Sequence, residues 1–130
     1  MKKLVVISLL LLAVIGAGLY EAFFVSEYFG KLSNSLEELG LIVSDSAEDE
    51  ILTPVITETD RLINDWEKQN ARLYILCNNN VLNNVIDRMR QARSYLTCGK
   101  NADAYAYLVS ASVYATSLAE EILPLPVNVI

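Results

Sequence analysis

The sequence predicts an all-α protein in which an N-terminal transmembrane helix is followed by a small up-down bundle of four helices. Two observations predict this class. Residues 4–19 contain no charged side chain, and beyond them apolar residues recur at alternating spacings of four and three, which places them on one face of each successive helix. Similar segment lengths and short connections favour an up-down bundle. The alternative is a three-helix arrangement in which residues 47–97 form one long kinked helix.

The apolar run at 4–19 has 16 residues, or about 24 Å of helix at about 1.5 Å per residue. A bilayer core needs about 20 residues, and an extension to about Phe24 supplies them, with Glu21 near the far interface. Lys2 and Lys3 precede the run and predict a cytoplasmic N-terminus, with the rest of the chain outside the cell membrane. The predicted regions are a transmembrane anchor at 1–25, an extracytoplasmic helical bundle at 26–123 and an extended apolar tail at 124–130.

A cleaved secretory signal is the alternative to an anchor, because two lysines before an apolar run are typical of both. The best cleavage site, Gly16-Ala17-Gly18, matches the small-residue pattern of such sites poorly. An uncleaved anchor is therefore favoured, and a secreted helical protein is the alternative. The same small residues allow two spans to pack closely in lipid, so the anchor permits a homo-oligomer.

Composition limits the function classes. Of the 10 Lys and Arg residues, two precede the anchor, whereas all 16 Asp and Glu residues lie from Glu21 onward. The exposed domain therefore carries eight basic and 16 acidic residues, a net charge of −8, which disfavours nucleic acid as a partner. Histidine is absent and cysteine occurs twice, which removes the usual general base, the His-activated nucleophiles and most zinc sites. We predict no enzyme activity, no cofactor, and no catalytic, cofactor-binding or metal-binding residues.

The first bundle helix continues from the anchor. Its predicted apolar face consists of Val25, Phe29, Leu32, Leu36, Leu39 and Val43. Gly40 is predicted to end the helix in a left-handed cap, with Leu41 and Ile42 packing back on it.

The second helix is predicted over about 47–76, with Asp45 and Glu48 at capping-box spacing. Pro54 either kinks this helix or marks its true start, with Thr53 as the cap. Its predicted apolar face consists of Leu52, Ile56, Thr59, Ile63, Trp66, Asn70, Leu73 and Cys77. Trp66 is therefore predicted to be a core residue, in preference to a platform on which a ligand stacks.

The asparagines at 78–80 suit a tight turn and predict a third helix over about 81–97. A turn at 98–101, with Gly99 as cap, then leads to a fourth helix over about 102–123. The third helix carries Arg88, Arg90 and Arg93, which we expect to pair with acidic side chains of this domain and not to bind an anion. Cys77 and Cys98 flank the helix, about 30 Å apart, too far for an internal disulfide.

Several short motifs resemble those of a family of short bacterial single-pass membrane proteins named only as a domain of unknown function. They are the paired lysines with Gly18-Leu19-Tyr20 at the end of the apolar run, Trp66, Arg93-Ser94-Tyr95-Leu96 followed by Asp103, and Asn128-Val129-Ile130. Members of that family often carry a histidine and a Glu-Leu-Asp stretch in mid-chain, where this chain has neither. The resemblance implies an anchored, helical extracytoplasmic domain and brings no activity with it.

These observations predict a membrane-anchored interaction or scaffold protein of the bacterial cell envelope, whose partner is another envelope protein. The alternative is a ligand-sensing or accessory ectodomain with a pocket lined by Trp66 and a tyrosine. Two carboxylate pairs, Asp65 with Glu67 and Glu120 with Glu121, are too close in sequence to face each other on a helix. Neither pair therefore predicts an active site.

Overall fold

The protein is all-α, with four helices, in a computed structural model that describes residues 2–77 and 79–122, apart from the side chains at 76, 121 and 122. The helices are α1 (Lys2–Ser44), α2 (Thr53–Leu76), α3 (Asn79–Thr97) and α4 (Asn101–Ile122). The predicted fold class is confirmed at this level, and the alternative of one helix over 47–97 is wrong because α2 and α3 are separate. The predicted tail at 124–130 lies outside the described residues.

The anchor and the first bundle helix form one helix, α1, of 43 residues, about 64 Å long. No proline interrupts this segment, and its glycines at 16, 18 and 30 remain helical. Residues 2–20 are exposed, whereas a buried face begins at Val25 and repeats to Val43. α1 therefore joins the apolar segment to the bundle without a linker.

One hydrophobic core fills the space between the four helices. Its largest fully buried side chains include Trp66, Phe29, Leu36, Leu73, Leu82 and Met89. The most extensive contact between helices is that of α1 with α4, followed by α3 with α4 and then α2 with α3. The contact between α1 and α2 is the smallest of the four. The α1–α2 side of the bundle is therefore the most open.

Polar contacts show how the helices are aligned. The Ser26 hydroxyl donates to the carbonyl of Ala119 at 3.0 Å and the Ser33 hydroxyl to that of Ser112 at 3.1 Å. Two residues beyond the C-terminal end of α1, the Ser46 hydroxyl accepts a hydrogen bond from the amide of Asn101, the first residue of α4, at 3.1 Å. Later residues of α1 thus contact earlier residues of α4.

Two predictions about the end of α1 are wrong. Gly40 does not cap the helix: it is buried inside α1, where an added Cβ would lie in ordinary van der Waals contact, 3.7 Å, with the side chains of Tyr105 and Val109. Leu41 and Ile42 do not pack back on the helix either, because they are 65% and 52% exposed. Packing against α4 extends the helix through Gly40 to Ser44.

The start of α2 follows one of the two predicted alternatives, because the helix begins at Thr53 with Pro54 in its first turn. The cap is Leu52, which supplies no side-chain hydrogen bond, so Thr53 as cap is wrong. Asp45 and Glu48 do not form a capping box on α2. The Glu48 carboxylate instead accepts a hydrogen bond from the backbone N–H of Ala102 at 2.6 Å, in the first turn of α4.

Gly99 caps α3 as predicted. Its φ of +74° lies in the left-handed region that glycine adopts without strain. The Lys100 N–H donates to the Tyr95 carbonyl at 3.0 Å and the Gly99 N–H to the Leu96 carbonyl at 3.2 Å, which satisfies the last carbonyls of the helix. The turn also binds the loop before α2, because the Asp49 N–H donates to the Gly99 carbonyl at 2.9 Å.

Candidate functional site

The first half of α1 is long and apolar enough to cross a membrane. None of its most apolar 18-residue stretch is buried against the rest of the protein. Large apolar side chains such as Leu4, Leu12 and Val14 are more than 60% exposed. An apolar surface of this size has no covering within the described chain, and a bilayer would cover it.

A clamp, formed by Glu21, Phe24 and Arg72, lies where the exposed apolar segment meets the bundle. Two guanidinium nitrogens of Arg72 donate to the two carboxylate oxygens of Glu21. The guanidinium carbon also lies 3.8 Å from the centre of the Phe24 ring. This bidentate pair, supported by a cation–π contact, holds the C-terminal end of α2 against α1.

An aromatic cluster lies one helical turn further along α1. The Trp66 indole is 1% exposed, and its ring centre is 5.8 Å from that of Phe29 and 6.4 Å from that of Tyr28. The prediction that Trp66 is a core residue is confirmed.

The hydroxyl of Tyr28 is buried and makes no hydrogen bond to any described residue. Burial raises the pKa of the Tyr28 phenol, and the nearby carboxylate of Asp65 adds to the increase. The hydroxyl therefore keeps its proton at any physiological pH and is available as a hydrogen-bond donor.

Two connected grooves run between α1 and α2. The distal groove, of about 380 Å³, is lined by Ser35, Glu38, Leu39, Ile42, Leu52, Pro54, Val55 and Glu58. The proximal groove, of about 420 Å³, is nearer the clamp and is lined by Tyr28, Lys31, Leu32, Asn34, Ser35, Glu38, Arg61, Leu62 and Asp65. Ser35 and Glu38 line both grooves. Ser35 and Glu38 occupy positions of α1 that face α2. Neither has a large apolar side chain that would fill the space between the two helices, so this space stays open.

The two grooves differ in chemistry. Arg61 pairs with Glu58 at 2.5 Å and with Asp65 at 2.9 Å, and its hydrogen bonds hold the pKa of Glu58 below its usual range. The two carboxylates thus share one guanidinium, whereas Glu38 belongs to none of the described ion pairs. Ile42 contributes an apolar side chain that is 52% exposed. The distal groove is therefore mainly apolar with carboxylates at its rim, and the proximal groove is more polar than the distal one.

A third cleft, of about 260 Å³, lies between α2 and α3 and is lined by Trp66, Glu67, Asn70, Tyr74, Asn83, Ile86, Asp87 and Arg90. It contains a tryptophan and a tyrosine, as the ligand-sensing alternative expects. The indole is almost wholly covered, however, so a ligand in this cleft would meet mainly polar side chains. Trp66 offers no face on which a ligand can stack.

The charged residues singled out from the sequence form pairs or stack on rings. Arg90 lies 3.3 Å from Glu67 and Arg93 pairs with Asp60, whereas the Arg88 guanidinium lies 4.7 Å from the centre of the Tyr114 ring. The predicted pairing of these arginines is confirmed for Arg90 and Arg93.

Carboxylates do not converge on one point in the described parts of the chain. Asp65 and Glu67 bind different arginines, and across residues 2–77 and 79–122 no three Cys, Asp or Glu side chains lie close enough to hold a metal ion. Glu120 is exposed on α4, and the side chain at 121 is outside the described set.

The distal groove was not predicted from the sequence. One signal for it exists: residues 32–60 contain eight acidic residues and no Lys or Arg. Ile42 lies within this segment but outside the four-three spacing of the buried face. No protein-family model, curated protein or solved structure matches this chain. Proposals about its function therefore rest on its own residues.

Proposed function

We propose that this protein is a membrane-anchored helical interaction or scaffold protein of the bacterial cell envelope. The observation that carries the proposal is the continuity of α1, whose first half is a candidate span and whose second half is a wall of the bundle core. The clamp at Glu21 and Arg72 fixes α2 to the same helix. A domain joined to a span in this way is held at a set height above the bilayer, where it can position a partner.

The proposed bundle is up-down. Contacts that pair α1 with α4 in reverse sequence order, Ser26 with Ala119 and Ser33 with Ser112, support this arrangement. The same reversal occurs between α2 and α3, where Asp60 pairs with Arg93 and Glu67 with Arg90. Neighbouring helices that alternate in direction need only short connections.

The proposed topology is single-pass, with a cytoplasmic N-terminus and an extracytoplasmic bundle, because Lys2 and Lys3 precede the span and the acidic domain follows it. Protease added to intact protoplasts is expected to degrade the chain beyond Tyr28. Full protection of the bundle, with the membrane sealed, would show the opposite orientation. The intact mass of the purified protein decides whether the N-terminal segment is retained or whether the protein is secreted after cleavage.

The proposed partner is another envelope protein. Full-length protein extracted from membranes in mild detergent is expected to retain a specific partner that an anchor of residues 1–25 alone does not. Recovery of the same proteins by both would refute the interaction function. A homo-oligomer through the span would appear in the same experiment as co-purification of two differently tagged copies.

A ligand-sensing ectodomain is the second candidate, and the unpartnered hydroxyl of Tyr28 at the proximal groove favours it. A small polar ligand there would accept the hydrogen bond that the described protein groups do not. Thermal shift of the full-length protein against a panel of polar metabolites tests this function, with Tyr28→Phe as the matched variant. A ligand that stabilises both forms equally would count against Tyr28 as its donor.

A further inference from the structure

We propose that the distal groove binds a basic amphipathic helix of another envelope protein. This inference rests on the proposed interaction function and names the chemistry of the partner. The groove combines an apolar floor, formed by Leu39, Val55 and the half-exposed Ile42, with two carboxylates at its rim. Glu58 pairs with Arg61, whereas Glu38 belongs to none of the described ion pairs.

The rim is acidic because the segment around the groove carries charges of one sign. Residues 32–60 contain eight acidic side chains and no Lys or Arg. Arg61 and Arg93, from outside this segment, neutralise Glu58 and Asp60, and Glu48 caps α4. The other acidic residues of this segment are Glu37, Glu38, Asp45, Asp49 and Glu50. They take part in none of the described ion pairs, and Glu38 lines the groove. Charge complementarity therefore calls for an occupant with Lys or Arg beside its apolar residues.

A helix is the form of chain that this groove suits. Both walls of the groove are helical, and beyond the first turn of α2 their backbone N–H and C=O groups are already bonded within α1 and α2. An extended strand would find no backbone partners there, whereas a helix satisfies its own backbone and needs only a place for its side chains. The groove from Ser35 to Ile42 is about 10 Å long, which accommodates apolar residues from two consecutive turns.

The other occupants fit less well. A second copy of this chain would bring the same acidic rim, and like charges at a contact repel. Anionic lipid would be repelled for the same reason, and Ile42 lies 18 residues beyond Phe24, about 27 Å along α1. The chain's own residues 123–130 contain no Lys or Arg to complement the rim.

The test uses the full-length protein in phosphatidylcholine nanodiscs and a fluorescent two-heptad peptide of repeated Leu-Lys-Lys-Leu-Leu-Lys-Leu, with empty nanodiscs as the background. Binding is expected to be saturable, to weaken as salt is raised, and to be lost when glutamate replaces lysine in the peptide. Ile42→Ser is expected to raise Kd by about tenfold, the effect of about 1.4 kcal/mol, and Glu38→Gln by about threefold. The matched controls are Val113→Ser, at an apolar side chain 61% exposed on α4, and Glu120→Gln.

Equal affinity for Ile42→Ser and Val113→Ser, with both variants folded by circular dichroism, would overturn the proposal, as would equal binding of the acidic peptide. Disulfide-linked dimers of an Ile42→Cys variant that lacks the native cysteines would identify a second copy as the occupant and also overturn it. A full-length protein that retains a specific partner but binds no basic peptide would refute this inference alone. Failure of the partner pull-down against the anchor control would instead refute the proposed function.

Discussion

Replacing Trp66 by alanine is expected to remove a large share of the bundle's stability. A buried aromatic side chain covers about 150–250 Å², which at about 25 cal/mol per Å² corresponds to about 4–6 kcal/mol. Measured losses for such truncations are about 3–5 kcal/mol. This range already includes the free energy that the ring contacts with Tyr28 and Phe29 contribute. Since a domain holds only about 5–15 kcal/mol in total, the substitution removes a fifth or more of it.

The measurement is thermal unfolding of the full-length protein in detergent micelles, followed by circular dichroism at a helical wavelength. For a bundle of this size, a loss of 3–5 kcal/mol lowers Tm by at least about 12 °C. Trp66→Phe keeps a ring against Phe29 and is expected to lower Tm less, whereas Val113→Ala on the surface of α4 is the matched control. A Tm for Trp66→Ala equal to that of Val113→Ala would refute the assignment of the indole to the core.

Three further predictions concern the ends of the helices. Gly99→Ala is expected to destabilise the fold by about 1–3 kcal/mol, since φ is positive there and the added Cβ would lie 2.9 Å from the backbone of the loop before α2. At Gly30 an added Cβ would have nothing within 4 Å, so Gly30→Ala is expected to stabilise the fold by about 0.5–1 kcal/mol. Equal melting temperatures for the two variants would contradict the strain argument. Arg72→Met leaves its carboxylate partner on α1 unpaired and should increase hydrogen exchange in the last turns of α2; unchanged exchange would show that the clamp does not hold α2 against α1. Cys77 and Cys98 lie at opposite ends of α3, so intact mass spectrometry without reductant should find no internal link, and a mass two protons lower in the monomer would disprove the helix between them.

The spacing of apolar residues predicted the core well in three helices. All six stripe positions of α1 from Val25 to Val43 are buried. The same spacing predicts Leu82, Val85, Met89, Ala92 and Leu96 for α3 and Ala104, Leu108, Ala111, Ala115 and Leu118 for α4, and all of these are buried. In α2 the true stripe includes Val55 and Leu62, whereas the predicted Asn70 is exposed. Isoleucine and leucine occur on both sides of the α2 face, so hydrophobicity alone does not fix its register. Contacts with α1 and α3 decide which side of α2 is buried, and the spacing of residues within α2 does not reveal those contacts.

Helix ends were less predictable because several depend on contacts between distant parts of the chain. Gly40 has the properties of a cap, but it lies inside α1, where Tyr105 and Val109 of α4 pack over it. Glu48 has the spacing of a capping box for the helix that follows it, yet its carboxylate accepts a bond from the start of α4, 54 residues away. Local sequence supplies the polar group, and the tertiary fold decides which helix receives it.

The candidate site depends on a distance between helices and so was beyond the reach of sequence patterns. The acidic segment at 32–60 is visible in the sequence, and so is the apolar Ile42 outside the buried face. That they border one groove follows only from the loose contact between α1 and α2. Close packing on α4, where Gly40 and the serines at 26 and 33 let the helices approach, draws α1 toward that side and leaves the α2 side open.

In the proposed topology, the continuity of α1 gives the distal groove a fixed position. No loop separates the span from the groove wall, and the clamp at Arg72 ties α2 to α1 at the level of Glu21. The height of Ile42 above the bilayer is therefore set by helical rise, about 27 Å beyond Phe24. A partner helix must present its basic and apolar residues at that height, which favours a segment of a second envelope protein over one that lies on the membrane surface. Specificity would then come from geometry as well as from charge, since a short basic helix alone is a common chemical pattern.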